Sequence, residues 1–249
     1  MSDNPLVSVV MPGYNCEDSI TASIKSVLNQ TMADFELLIV DDCSTDGTPE
    51  AIAELSSADS RIKAMQNKQN LGVAATRNRA VDTACGEYLA FIDSDDQWEP
   101  NKLEMQLNHM AQTGCGICYT SYDYFCNDGT PVFNPYIVPE VTDYERLLKE
   151  NVIGLSTAVL RSSTLGNQRF DESIFHEDFA LWLSMLRQGA IACGITEILT
   201  HNRVGGRSEN KCKALINRWR VYRKSEKLPL AISCYYIANY AFAGLKKYS

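Results

Sequence analysis

The chain is short of positive charge: its 249 residues carry 23 Lys and Arg against 31 Asp and Glu, a formal net charge of −8. A nucleic-acid binder normally presents a basic face to the phosphate backbone, so that class is set aside. A disulfide framework is missing too. The 9 cysteines are irregularly spaced and odd in number. Cys115 and Cys118 stand as C-G-I-C with no matching second pair. Reduced thiols in a cytoplasmic protein are the expectation. No signal peptide opens the sequence, because residues 1–5 are polar and the apolar run 7–11 is too short for an h-region. Internal repeats, low-complexity tracts and linkers are absent. So is a long apolar run fit to span a bilayer. Residues 228–245 lack charge but include Pro229, Ser233, Asn239, Gly244 and three tyrosines, which suits an interfacial or packed helix better.

What is present is a regular alternation. Apolar runs at 7–11, 35–40 and 88–92, with a shorter one at 62–66, read as strands. Between them, residues 20–28, 48–55 and 72–84 carry helical spacing, with Gly86 expected as the C-cap of the third. Such a βαβαβαβ series implies a mainly parallel sheet covered by helices. A helix follows to about residue 112, then strand-like stretches at 117–125 and 131–133 around the turn signal Asn127-Asp128-Gly129. Further on, 144–150 reads as helix and 156–160 as strand. Residues 177–187 form an amphipathic helix opening on two acids. Strands are expected at 191–194 and 197–203, and helices at 210–227 and 228–247.

Two acidic clusters carry the chemistry. Residues 35–40 lead into Asp41-Asp42, and 88–92 lead into Asp93-Ser94-Asp95-Asp96. Carboxylates bunched at buried strand ends are costly unless a cation sits between them. A hard divalent ion carrying a phosphorylated ligand fits best. Ligands of open parallel sheets bind at the carboxyl ends of the strands. Tyr14 is thus placed to flank a base, Asp42 to accept from a base N–H, Asp93 from a ribose hydroxyl, and Asp95 to hold the metal. Asp46, just before Gly47, is instead assigned to a turn.

The segments VSVVMPGYN, FELLIVDDCSTDGT, NLGVAATRNRAV, GEYLAFIDSDD and HEDFALWL together resemble the family 2 glycosyltransferases of the GT-A fold, over about the first two hundred residues. The resemblance implies a Rossmann-like α/β catalytic domain over 1–205, with a nucleotide-binding half 1–100 and an acceptor-side half 101–205. A helical C-terminal extension covers 206–249. It implies inverting transfer of a sugar from a nucleotide diphosphate, usually a uridine one, to a saccharide or lipid-linked saccharide acceptor, with Mn²⁺ or Mg²⁺. Asp93-Ser94-Asp95 is the D-x-D, with Asp95 the direct metal ligand and Asp93 nearer the ribose. Asp42 meets the base. Pro12, Tyr14 and Arg77 line the nucleotide pocket, and Glu17 touches the nucleoside. Asp178 is the general base, with Glu177 its acidic neighbour. Arg203, Arg207 and His201 are candidates for the leaving diphosphate, and His201 for an additional metal ligand.

Two rivals remain at this point. A metal-dependent nucleotidyltransferase would need a basic loop after the first strand, where Pro12-Gly13-Tyr14-Asn15 stands. A silent sugar-nucleotide or glycan-binding subunit would lack Asp95 or Asp178. Between 201 and 227 nine Lys and Arg face two Glu. With the apolar residues that follow, they suggest contact with the inner face of a membrane, or a homodimer through the C-terminal helices.

Overall fold

The structure, a computed structural model, describes residues 4–126, 128–204 and 211–247. The first half runs β1 (Val7–Gly13), α1 (Ile20–Leu28), β2 (Phe35–Asp41), α2 (Thr48–Ala58), β3 (Ile62–Gln66), α3 (Val73–Thr83) and β4 (Tyr88–Phe91). The second half continues with β5 (Gln97–Trp98), α4 (Lys102–Thr113), β6 (Ile117–Phe125), β7 (Val141–Thr142), α5 (Tyr144–Lys149), β8 (Val159–Arg161), α6 (Ser162–Leu165), α7 (Glu177–Arg187), β9 (Ala192–Arg203), α8 (Lys211–Arg220) and α9 (Leu230–Lys247).

Among the described residues these strands form one sheet in the order β3-β2-β1-β4-β8-β6-β9-β5, with β7 on β9. Strand β1 pairs in parallel with β2 on one side and β4 on the other, and β3 extends β2 in parallel. The chain therefore builds outward from β1 and returns to its other flank. That reversal opens a crevice at the carboxyl ends of β1 and β4. Alternation along the strands splits the core in two. Val7, Val9 and Met11 pack with Ile20, Ile24, Ile52 and Leu103 beneath α1, α2 and α4. Val10, Leu38 and Val40 pack with Ala80, Leu147, Phe179 and Trp182 beneath α3, α5 and α7.

Several sequence expectations shift. Helix α3 spans Val73–Thr83 and ends at Ala84, whose N–H bonds Val81 O; Gly86 is not its cap. Gly86 instead crosses β1, where an added Cβ would lie 2.5 Å from Ser8 N and 2.8 Å from Val7 C. The strand expected at 156–160 divides into a 3-10 turn, Leu155–Thr157, and β8. The strands expected at 191–194 and 197–203 are one, β9. Its pairing with β6 is interrupted by register shifts on either side of Ser121, and the exposed Thr196 and Glu197 lie in that interruption. The stretch 131–133 makes a single bridge, Phe125 with Pro131, rather than a strand. Of its turn, Asn127 lies outside the described residues, while Gly129 adopts φ 81° and donates to Cys126 O. The helix expected over 210–227 is α8 followed by a π-helical turn, Val221–Ser225.

The C-terminal helices dock on α5 and α7. Arg218 donates to Leu147 O and Leu148 O and lies 4.0 Å over the Phe179 ring, and the Tyr222 hydroxyl donates to Leu148 O. On α9, Tyr236 and Ile237 pack against the core while Leu230, Ile232 and Tyr235 stay exposed.

Gly86→Ala should destabilise the fold by about 1–3 kcal/mol, because the new methyl meets backbone that cannot move aside. A lowered urea midpoint with an unchanged slope is the expected result.

Candidate active site

The crevice at the β1/β4 boundary has a volume of about 890 Å³, within the range of small-molecule sites. Pro12, Tyr14, Glu17, Asp42, Arg77, Asp93, Ser94, Asp95, Asp178 and Arg203 all border it. The sequence expectation thus gathers in one place, from segments up to 191 positions apart (203 − 12).

The two acidic clusters do different work. Asp41 accepts from Ser44 Oγ and, at 2.9 Å, from Gln66 Nε2. Asp42 accepts from Asn67 Nδ2 at 2.7 Å and from the N–H groups of Leu71 and Gly72 at 2.8 Å each. Its carboxylate therefore braces the entry to α3 while still bordering the crevice. Glu17 accepts from Gly47 N at 2.6 Å and holds the neighbouring turn. Asp46 accepts from Thr48 N, the turn role expected of it. Asn15 (φ 47°) and Cys43 (φ 64°) are left-handed, and Asn15 ties the two loops together by accepting from Thr45 N and donating to Ser44 Oγ. Local strain of this kind collects where loops must face a ligand.

The second cluster points inward. Burial and the neighbouring charge of Asp93 push the Asp95 carboxyl above its usual range, against the pull of Arg203 and Arg77. Asp96 turns away from the crevice. It accepts from Ser156 Oγ at 2.5 Å and from Arg203 N at 3.0 Å, and burial holds its carboxyl well above the ordinary range. Ser156 is a hub that the sequence did not announce. Its hydroxyl also accepts from Asp93 N at 3.0 Å, and its carbonyl accepts from Trp98 Nε1 at 2.8 Å. One buried serine thus fixes the D-x-D backbone, β5 and the end of β9 together.

Arg77 lies beneath the crevice at 5% exposure. Its Nη2 donates to Asp93 Oδ1 and its Nη1 to Glu177 Oε1, each at 2.6 Å. Glu177 and the adjacent Asp178 both border the crevice, Glu177 buried in its wall and Asp178 half-buried. Burial raises the Asp178 carboxyl above its usual range, countered by the Phe179 N–H and the Arg77 charge. A carboxylate of raised basicity at a crevice wall is placed to take a proton.

His201 takes neither role considered for it. Its Nδ1 bonds Asp123 Oδ1 at 2.6 Å and its Nε2 bonds Glu99 Oε1 at 2.9 Å, so both ring nitrogens are committed, and it does not border the crevice. Arg207 lies outside the described residues.

Fold and site define an α/β domain with an acid-lined crevice at a topological switch point of its sheet. A sequence profile of glycosyl transferase family 2 matches residues 8–174, and the chain belongs to that family. It is 38% identical over 245 residues to the putative teichuronic acid biosynthesis glycosyltransferase TuaG of Bacillus subtilis, covering 98% of this chain and 97% of TuaG. It is 40% identical over 250 residues to WfgD of Escherichia coli, named a UDP-Glc:alpha-D-GlcNAc-diphosphoundecaprenol beta-1,3-glucosyltransferase, covering 99% of this chain and 96% of WfgD. The fold matches the mannosyltransferase PcManGT from Pyrobaculum calidifontis, solved with GDP-Man and Mn²⁺, at a TM-score of 0.72 and 18% identity over 97% of this chain and 74% of that one. The fold is GT-A.

Burial alone would lower the His201 pKa, but the hydrogen bonds and charges of Asp123 and Glu99 outweigh it and raise it. The stabilisation His201 provides is then complete below its unfolded pKa of about 6.5 and fades as pH rises through the higher folded value. His201→Gln should therefore cost more stability at pH 5.5 than at pH 9, read from urea midpoints at the two values.

Proposed function

We propose that this chain transfers a sugar from a UDP-sugar to a hydroxyl of a lipid-linked or polymeric saccharide, with inversion at the anomeric carbon. One observation carries the proposal: Asp93 and Asp95 share a single crevice with Asp178, a carboxyl of raised basicity. The names of TuaG and WfgD support the substrate class. An α-linked UDP-sugar giving a β-linked product requires inversion, hence one displacement and one base. In that step Asp178 takes the acceptor hydroxyl proton as the oxygen bonds the anomeric carbon. The bond from that carbon to the diphosphate breaks, and UDP leaves toward Arg203.

Asp95, with Asp93 beside it, fits a divalent cation. Burial and the charge of Asp93 raise the Asp95 carboxyl, and Arg203 and Arg77 offset this only in part, which leaves a bound cation something to relieve. Among the described residues no group of three or more His, Cys, Asp or Glu is arranged to hold a metal. An ion completed by substrate phosphates and water suits such a pair, and Mn²⁺ or Mg²⁺ meets that description. Bound there, it supplies positive charge to the diphosphate. Pro12, Tyr14, Glu17 and Asp42 then border the nucleoside.

The exposed face of α9 is assigned to an anionic membrane surface carrying the acceptor. Leu230, Ile232 and Tyr235 are 61%, 43% and 55% exposed. Exposed Arg220, Arg223, Lys224 and Lys227 precede them. No helix among the described residues is long and apolar enough to cross a membrane, so contact would be peripheral.

Two experiments test these statements. UDP-sugars are screened for Mn²⁺-dependent thermal stabilisation, and the best is used in a transfer assay. Asp95→Ala should lose both the shift and at least about a hundredfold in turnover. Asp178→Asn should keep the shift and lose turnover. Wild-type turnover in either variant would overturn its assigned role. In liposome flotation, the protein should rise with anionic vesicles at low salt and be released at high salt. Remaining at the bottom in both, with a dimer in sedimentation, assigns the face to a second copy instead.

A further inference from the structure

Arg77 is placed by family resemblance along the nucleotide pocket, yet its geometry points elsewhere. We infer that Arg77 is a positioning residue that sets the acceptor-side base, Asp178, against the donor-side carboxylate Asp93. The inference rests on the transfer reading above.

The two terminal nitrogens of one buried guanidinium reach carboxylates on different sides of the crevice, Asp93 after β4 and Glu177 at the start of α7, both at 2.6 Å. The Asp93 side chain is 37% exposed and open to the crevice, whereas that of Glu177 is 6% exposed. Glu177 also borders the crevice, but its carboxylate is tied to Arg77 and nearly closed off from solvent, so it serves as an anchor, and its neighbour Asp178 is what the anchor sets in place. The ion pair with Arg77 ties the first residue of α7 to α3.

The next residue of α3 completes the clamp. Asn78 Nδ2 donates to Phe170 O and Asn78 Oδ1 accepts from Phe170 N, each at 2.9 Å. The Phe170 ring lies 5.7 Å from the Arg77 guanidinium. Two consecutive residues of α3 therefore hold both ends of the segment 170–177. Among the described residues, Arg77 Nε is buried without a hydrogen-bond partner. The side chain forgoes one bond while its two ends meet the two acids, a cost that needs a reason. Bridging two carboxylates requires a planar fork. A lysine, a single point charge, cannot serve both with the same geometry.

The test uses full-length protein with Arg77→Lys and, from the other end, Glu177→Gln, which keeps shape but loses the ion pair. UDP affinity with Mn²⁺ is measured by calorimetry, folding by thermal midpoint, and turnover with the best UDP-sugar of the screen. Each variant should lose at least about tenfold in kcat, with UDP affinity within about threefold of wild type. Introduced into Asp178→Asn, neither should lower the residual rate further, because both act through Asp178. If Arg77→Lys does not fold, Glu177→Gln decides alone. Weakened UDP binding with normal kcat at saturation would make Arg77 a nucleotide contact and overturn the inference by itself. Equal fractional losses in both backgrounds would overturn it in favour of a purely structural role. Wild-type turnover in Asp178→Asn would overturn the base assignment and this inference together.

Discussion

A guanidinium almost closed off from water is tolerable only where anions meet it, and Arg77 meets two. Removing one partner of such a buried pair typically costs about 3–5 kcal/mol, because the other charge is left uncompensated. Here the cost would fall at the centre of the site. Asp93, Glu177 and Asp178 all feel the Arg77 charge, and without it the crevice floor would be a set of like charges in a poor solvent. The placement of α3 under β1 and β2, the exit of β4 and the start of α7 must therefore agree to within a hydrogen bond. Few other contacts impose so tight a condition on three elements at once.

Ser156 imposes a second condition on the opposite wall. Its hydroxyl and carbonyl join Asp93, Asp96, Trp98 and, through Asp96, the backbone of Arg203. The D-x-D is thereby held from two directions: by its side chain through Arg77 and by its backbone through Ser156. A loop fixed in this way can present Asp95 to a ligand without first paying to order itself, which is the physical content of preorganisation. Asp95 remains the member whose carboxyl is crowded rather than braced, and crowding between like charges is what a bound cation would relieve.

The parallel half was readable because its strands are buried on both faces and so appear as continuous apolar runs, at 7–11 and 35–40 above all. The acids after those runs were readable for the same reason, since nothing in a buried strand end favours several carboxylates at once. The Glu177-Asp178 pair was visible at the head of an amphipathic helix, but which of the two acids is tied up in an ion pair depends on Arg77, a hundred positions earlier. Ser156 and Asn78 carry no local signal, because a serine or asparagine gains its role only from distant partners. His201 looked available as a ligand, and only the approach of Asp123 on β6 and Glu99 just after β5 commits its ring. Lys102 is similar. It opens α4 like any surface lysine, yet it is fully buried 3.9 Å from the Trp98 ring centroid, and burial pulls it down to about 7.

The helix that carries Asp178 is gripped from its other side as well. Phe179, the residue after Asp178, lies under the Arg218 guanidinium at 4.0 Å, and the same cation stands 4.4 Å from the Tyr240 ring on α9. Arg218 also donates to two carbonyls of α5, so α5, α7, α8 and α9 meet at one charged group. Helix α7 is thus held by a cation from α3 at Glu177 and by a cation from the C-terminal helices at Phe179, two residues apart. An exposed apolar face on α9 that met a membrane would then be tied to Asp178 by a short run of packed groups rather than by a loop. The distance from a lipid surface to the base would be set by the fold itself, a requirement for any enzyme whose acceptor hydroxyl sits at a fixed height above its lipid.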